Sequence, residues 1–230
     1  MKVRVAILGD IHGGTHYLDW ALEHAVNAGA EMMIQVGDFG FDFKDGFLSA
    51  LADITNKHQI PLLAIRGNHD DPWWWKTHRR MGNVHLIPDG FTTTIGKKRV
   101  AFLGGAVSID RDLREENISW WKEERVSPHV VNAWIYDEVK ADVLISHDSP
   151  VLPDNLPGFV LPPDILRDCE EDRHLIRVAV ETLEPDVIYH GHYHVRYQKE
   201  FYQADAKKTL IEGLNRDGTP INQSMIIRDW

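Results

Sequence analysis

Val3-Arg4-Val5-Ala6-Ile7-Leu8-Gly9-Asp10-Ile11-His12 sets the pattern by which the rest of the chain is read. Residues 3–8 form a short apolar run stopped by Gly, which reads as a buried strand. Two polar side chains follow at its end. The arrangement recurs along the chain. Leu18, Ala21, Leu22, Ala25 and Val26 sit at helical spacing, and Gly29 ends that helix. Residues 31–36 form a second strand that stops at Gly37-Asp38. Residues 47–57 are helical, with Leu48, Leu51 and Ile54 on one face. Residues 61–65 form a third strand, ending at Gly67-Asn68-His69-Asp70. Strands that alternate with helices in this way predict a mainly parallel sheet covered by helices. In such sheets, sites gather beyond the carboxyl ends of the strands.

The middle of the chain differs. Residues 91–95 and 99–103 flank Gly96-Lys97-Lys98 and predict a β-hairpin. Residues 128–140 predict a helix with Val130, Val131, Trp134, Ile135 and Val139 as its apolar face. Residues 142–145 form a strand ending at Ser146-His147-Asp148. Residues 163–183 are mostly helix, and the strand at 186–189 delivers Gly191-His192-Tyr193-His194. Two further strands are expected near 208–212 and 223–228, around the turn Asn215-Arg216-Asp217-Gly218. There is no internal repeat, and ligand-type residues span 10 to 194, so one domain over 1–230 is expected. Residues 150–163 hold five prolines and read as an ordered surface loop of the kind that edges active sites.

The net charge of −10 disfavours a nucleic-acid partner, since no basic stripe offsets it. Cys169 is the lone cysteine, so no intrachain disulfide can form. No apolar stretch approaches the roughly 18 residues of a membrane span, and the first residues read as a strand rather than a leader. A reduced, cytoplasmic protein is expected.

The polar clusters carry metal-ligand chemistry. Residues i and i+2 of an extended strand end point the same way, so Asp10 and His12 can reach one ion. Asp38 has two oxygens and can bridge two ions. Asn68 offers an amide oxygen, and His147, His192 and His194 add imidazole nitrogens. Seven ligands exceed what one ion takes, whereas a pair sharing Asp38 uses them. Mixed N/O ligation without thiolate favours Mn, Fe or Zn over Ca. Each cluster alone is an ordinary turn or loop; five in order after strands are not.

Asp10-x-His12, Gly37-Asp38, Gly67-Asn68-His69-Asp70, His147 and Gly191-His192-Tyr193-His194 together resemble the calcineurin-like metallophosphoesterases, and these motifs cover nearly the whole chain. The resemblance implies an α/β (α+β) fold, a four-layer αββα sandwich of two mixed β-sheets flanked by helices. It implies two divalent ions, Mn2+ foremost with Fe and Zn as alternatives. Asp10, His12, Asp38 and His194 would hold one ion, and Asp38, Asn68, His147 and His192 the other. His69 would be the non-ligating catalytic histidine, oriented by Asp70.

Two such ions clamp a phosphate, and a water between them becomes the nucleophile, with His69 protonating the leaving alkoxide. The implied reaction is phosphoester hydrolysis. A phosphodiesterase acting on a nucleotide or other small molecule is the leading expectation. A nuclease, a phosphomonoesterase and a non-catalytic scaffold are the alternatives. The second motif continues Phe39-Gly40-Phe41-Asp42 rather than with Arg, which argues against the protein Ser/Thr phosphatase branch. Three residues are candidates for substrate contact. Phe39 would shape a pocket wall or simply pack. Trp73, in Trp73-Trp74-Trp75, would stack on a planar group or pack on a loop. Arg111 would grip a phosphate as a fork, or pair with a neighbouring Asp.

Overall fold

The computed structural model describes residues 1–40, 47–154, 156, 158, 160–204 and 206–230. The expectations for Phe41 and Asp42, and part of the proline-rich loop, fall outside these residues.

Two six-stranded sheets stack face to face. The first has the order β12-β1-β2-β3-β5-β4, from β1 (Arg4–Leu8), β2 (Met32–Gln35), β3 (Leu62–Ala64), β4 (Arg80–Met81), β5 (Val84–Leu86) and β12 (Met225–Asp229). The second has the order β10-β11-β9-β8-β7-β6, from β6 (Thr92–Ile95), β7 (Lys98–Leu103), β8 (Val143–Ser146), β9 (Val187–His190), β10 (Tyr197–Tyr202) and β11 (Lys208–Gly213). In each sheet four central strands run parallel, and one antiparallel strand closes either edge.

The alternation of side chains along each strand builds the four layers. Val5 and Ile7 of β1 point inward and meet Val100 and Phe102 of β7, Val143 and Ile145 of β8 and Tyr189 of β9 in the core between the sheets. Ala6 and Leu8 point outward, onto α1 (Thr15–Asn27) and α2 (Phe47–His58). Ala101, Leu103, Leu144 and Ile188 do the same on the other side, under α4 (Pro128–Tyr136) and α5 (Pro163–Leu183). The expected αββα sandwich is present.

Some local expectations are corrected. Leu48 is 45% exposed, and the buried face of α2 is Phe47, Leu51 and Thr55. The phase is turned because Phe47 packs edge-on against the ring of buried Phe39. Helix α4 stops at Tyr136 rather than Lys140, because Glu138 adopts a left-handed φ of 50° and the Val139 amide donates back to the Trp134 carbonyl. Strands β4, β5 and β10 and the short helix α3 (Pro72–Thr77) were not expected. Strand β10 alternates half-buried and exposed residues with charges between, as an edge strand does. Helix α3 starts where the Asp71 carboxylate accepts from the Trp73 amide and Pro72 occupies the first turn. No helix among the described residues is long and apolar enough to cross a membrane.

Candidate metal centre

All the polar clusters lie beyond the carboxyl ends of parallel strands, three in the first sheet and two in the second. Asp10 and His12 follow β1, Asp38 follows β2, and Asn68 and His69 follow β3. His147 follows β8, and His192 and His194 follow β9. The backbone bends sharply to aim them. His12, Asp38, His192 and His194 all take left-handed φ values, of 42°, 54°, 64° and 53°. Each such residue costs on the order of 1–3 kcal/mol, and four of them at one spot mark a place where the fold holds strain for a purpose.

The glycines before the ligands are there for close approach. A Cβ on Gly191 would lie 1.8 Å from Asp10 Oδ1, and one on Gly67 would lie 2.3 Å from the Asp38 amide nitrogen. The loops touch backbone to carboxylate, and any side chain would force them apart.

The ligand atoms of Asp10, His12, Asp38 and His194 lie within 4.8 Å of one another. His194 Nε2 is 3.1 Å from Asp10 Oδ2, yet the geometry makes no hydrogen bond. That nitrogen and Asp10 Oδ1 are buried without a hydrogen-bond partner among the described residues. Asp38 turns its two oxygens to opposite sides. Oδ2 is 3.4 Å from His12 Nε2, and Oδ1 is 3.4 Å from His147 Nε2. Asn68 Oδ1 stands 3.0 Å from His147 Nε2 and 3.1 Å from His192 Nδ1. All seven sequence-expected ligands therefore meet at one place.

The donor set fits cations. The Nδ1 proton of neutral His147 goes to the Val36 carbonyl at 2.9 Å, so its Nε2 lone pair faces the oxygens of Asn68 and Asp38. Acceptor facing acceptor in a buried site calls for positive charge. The titration behaviour agrees. Burial opposes charge on His12, but hydrogen bonds to Asp217 and Asp38 and the charge of Asp38 and Asp10 raise it to about 10. His147 is likewise raised to about 9, the pull of Asp38 and Asp10 outweighing burial. Burial, with His147 beside it, pushes His192 down to about 3 and keeps it a neutral imidazole. A site that forces protons onto buried imidazoles is one whose protons a divalent ion displaces. Addition of Mn2+ at about 100 times its dissociation constant should stabilise the fold by about 2.7 kcal/mol. This is roughly 5–10 °C in the midpoint of thermal unfolding, and a chelator should reverse the shift. A midpoint that ignores both additions would contradict the fit.

A ring of supporting groups holds the ligands, and the sequence reading missed it. Asp217, from the turn after β11, contacts His12 Nδ1 at 3.2 Å and donates its amide to the Asp10 carbonyl. Asn68 Nδ2 donates to Ser108 Oγ, which donates to buried Glu124. Burial raises Glu124 to about 7, against the hydrogen bonds it accepts from Ser108. Such carboxylate and hydroxyl partners fix the orientation of ligands. Ser108 follows Gly104-Gly105 closely but Glu124 lies well beyond it in sequence, and nothing in their spacing points to Asn68.

His69 lines a cavity of about 620 Å3 that also contacts Asp38, Asn68, His192 and His194. Its amide donates to Asp38 Oδ1 at 2.9 Å, and its Nε2 faces Arg114 Nη2 at 3.3 Å. Arg114 is held in turn by Asp110 through two contacts of 2.8 Å. Burial lowers the pKa of His69, Asp38 opposes that, and Arg114 adds to it. Asp70 is buried and accepts from the Phe39, Gly40 and Gly67 amides, at 3.0, 2.7 and 2.8 Å. It thus ties the second loop to the third.

The substrate candidates are placed as follows. Phe39 is fully buried in the core under the helices. Trp73 is 55% exposed on α3, edge-on to Trp74 and His78, while Trp75 is buried. Arg111 has both arms taken, by Asp168 and Asp164 at 2.6 Å each, rather than by Asp110 or Asp112. None of the three lines the cavity at the ligand cluster.

No curated protein matches the chain. Among solved structures, that of TT1561 from Thermus thermophilus is similar over 100% of this chain and 99% of that one, with 14% identity and a TM-score of 0.61. It shares the fold. The structure of an archaeal phosphodiesterase aligns over 99% of this chain and 100% of that one, at 12% identity and a TM-score of 0.46. A family model of calcineurin-like phosphoesterases matches residues 3–196. The matched span runs from the first strand past the final ligand cluster, and the chain belongs to the calcineurin-like phosphoesterase family.

Proposed function

We propose that the chain, as one domain over 1–230, is a cytoplasmic phosphoesterase with two divalent ions that acts on small phosphodiesters, nucleotides among them. The observation that carries this reading is the Asp38 carboxylate, one oxygen turned to His12 and the other to His147. Asp10, His12, Asp38 and His194 would hold one ion, and Asp38, Asn68, His147 and His192 the other. Mn2+ is the ion proposed first, and the same donors suit Fe or Zn. When bound, such a pair supplies Lewis acidity toward a phosphoryl oxygen and a water of lowered pKa.

The chain's own residues do the rest. His69 sits at the cavity wall beside Asp38 and is placed to give a proton to a departing alkoxide. Burial and Arg114 make its imidazolium a readier donor. Arg114 donates to Nε2 of the neutral ring, a contact the imidazolium gives up, and Asp110 holds Arg114. Asp70 holds the loops that carry Asp38 and His69 in register. The acidic balance of −10 and the aliphatic walls of the cavity favour a small molecule over a nucleic-acid strand. A single cysteine fits a reducing compartment.

The test is turnover of bis-p-nitrophenyl phosphate and p-nitrophenyl phosphate with Mn2+, which also separates diester from monoester preference. No turnover of either, with metal bound, would favour a non-catalytic scaffold. Changing His69→Asn should retain metal and lower turnover of esters with alkyl leaving groups by about 10²–10⁴-fold. The loss on p-nitrophenyl esters, whose leaving group needs no proton, should be much smaller. An equal loss on both would sink the proton-donor role.

A further inference from the structure

Helix α5 buries a stripe made of Ile165, Cys169, Asp172, Arg173, Ile176, Ala179, Val180 and Leu183. Two charged residues interrupt it, and the structure treats them differently. Asp172 is fully buried and paired: Arg125 reaches it at 2.8 Å and the Val126 amide at 3.0 Å. Arg173 is 8% exposed, and no hydrogen bond or ion pair within 4 Å reaches its guanidinium among the described residues. Burying an unpaired charge costs several kcal/mol, so a fold that keeps one does so at a gain elsewhere.

The guanidinium faces the cavity that His69, Asp38 and Asn68 also line. Between these groups Leu152, Leu156, Leu161 and Leu166 give an aliphatic wall, and the two further carboxylates that line the cavity, Asp110 and Asp154, are paired with Arg114 and Lys199. Asp148 lines the same cavity, but its carboxylate is engaged by the Ser149 amide at 2.6 Å and by the Tyr193 hydroxyl. It feels the charge of Arg173 but makes no ion pair with it within 4 Å. One chamber therefore joins a ligand cluster suited to a phosphate, an apolar passage and an unpaired five-donor cation. A guanidinium in that position matches a carboxylate or phosphate as a two-point fork.

We propose that Arg173 is a specificity-determining residue that receives a second anionic group of the substrate, a carboxylate or phosphate separated from the reacting phosphate by an apolar stretch. This rests on the phosphoesterase reading and narrows its substrate class to phosphoesters that carry a second negative charge at a distance. Simple diesters would occupy only the end near His69.

Alkylphosphonates of increasing chain length, each paired with analogues ending in a carboxylate or a second phosphonate, test this by calorimetric titration of the Mn2+-loaded protein. The readout is a ratio of affinities within one protein preparation. At the chain length that spans the cavity, wild type should bind an anion-tipped probe about tenfold or more tightly than the plain alkylphosphonate. The better of the two tips distinguishes carboxylate from phosphate. In Arg173→Met the ratio should fall to about one, and in Arg173→Lys, which keeps charge without the fork, it should be intermediate.

A wild-type ratio near one at every length overturns the proposal, and needs no variant. A preference that survives in Arg173→Met also overturns it. So does an equal loss of plain and tipped probes in that variant, which would put Arg173 on the reacting phosphate. If no phosphonate binds with Mn2+ present, the phosphoesterase reading fails by itself. A plain alkyl carboxylate then still decides the role of Arg173: tighter binding to wild type than to Arg173→Met supports it, and equal binding overturns it.

Discussion

Asp38→Asn is expected to abolish turnover and lower the bound metal together. The substitution preserves shape but removes a carboxylate that faces both halves of the ligand set, with Oδ2 toward His12 and Oδ1 toward His147. It removes one negative charge from a buried spot where His12, His69 and His147 converge on it. It also weakens the acceptor that fixes the His69 amide at 2.9 Å. Loss of several kcal/mol of charge stabilisation from a metal pair corresponds to roughly 10³-fold or more in rate at 1.36 kcal/mol per decade. The measurements are metal content by elemental analysis and kcat on bis-p-nitrophenyl phosphate at saturating Mn2+. Full metal content with a near-normal rate would remove the shared-carboxylate assignment.

Gly191→Ala is expected to damage stability and metal binding at once. The added methyl would lie 1.8 Å from Asp10 Oδ1 and 3.2 Å from Val36 Cγ2, both fully buried. Neither can yield cheaply: Asp10 accepts from the His192 amide, and Val36 belongs to the core between the sheets. Overpacking of this kind costs about 1–3 kcal/mol, occasionally more. With no room for relaxation the upper end is expected, about 3 kcal/mol, or roughly 6–12 °C in Tm for a chain of this size. Gly218→Ala is the control for composition, since no atom lies within 4 Å of its added carbon, although its φ of 74° makes some strain unavoidable. A Gly191→Ala protein as stable as wild type and with full metal content would contradict the close approach.

The ligands were legible in the sequence because each sits at the stop of a short apolar strand, where Gly marks a backbone that meets another group. Asp10, Asp38 and Asn68 needed only that reading, and His147 follows a strand that stops at Ser146 instead. The layers were legible through the alternation of side chains in β1, β7 and β8. The supporting groups were not. Ser108 reaches Asn68 across 40 residues of chain, and Asp217 reaches His12 across 205, and no spacing encodes such contacts. Arg111 and Arg114 look alike in sequence, three residues apart, yet one is fully spent on α5 carboxylates and the other faces His69. Tertiary packing alone makes the difference. Strand β10 was missed because an edge strand with charges on both faces lacks the apolar run that betrays a central one.

The ligands come from both sheets, and this has a consequence for how the protein comes into being. Asp10 leaves the ribosome early, whereas His192 and His194 emerge only after β9, and Asp217, which steadies His12, later still. Neither proposed ion has its full set of donors while β1 to β5 stand alone. On the proposed assignment, ion capture would be a late event in biosynthesis, open only to a chain whose two sheets have already closed on each other. A ribosome-stalled chain ending before β9 should hold metal no better than any unfolded peptide, and the ion would seal the finished fold rather than template it.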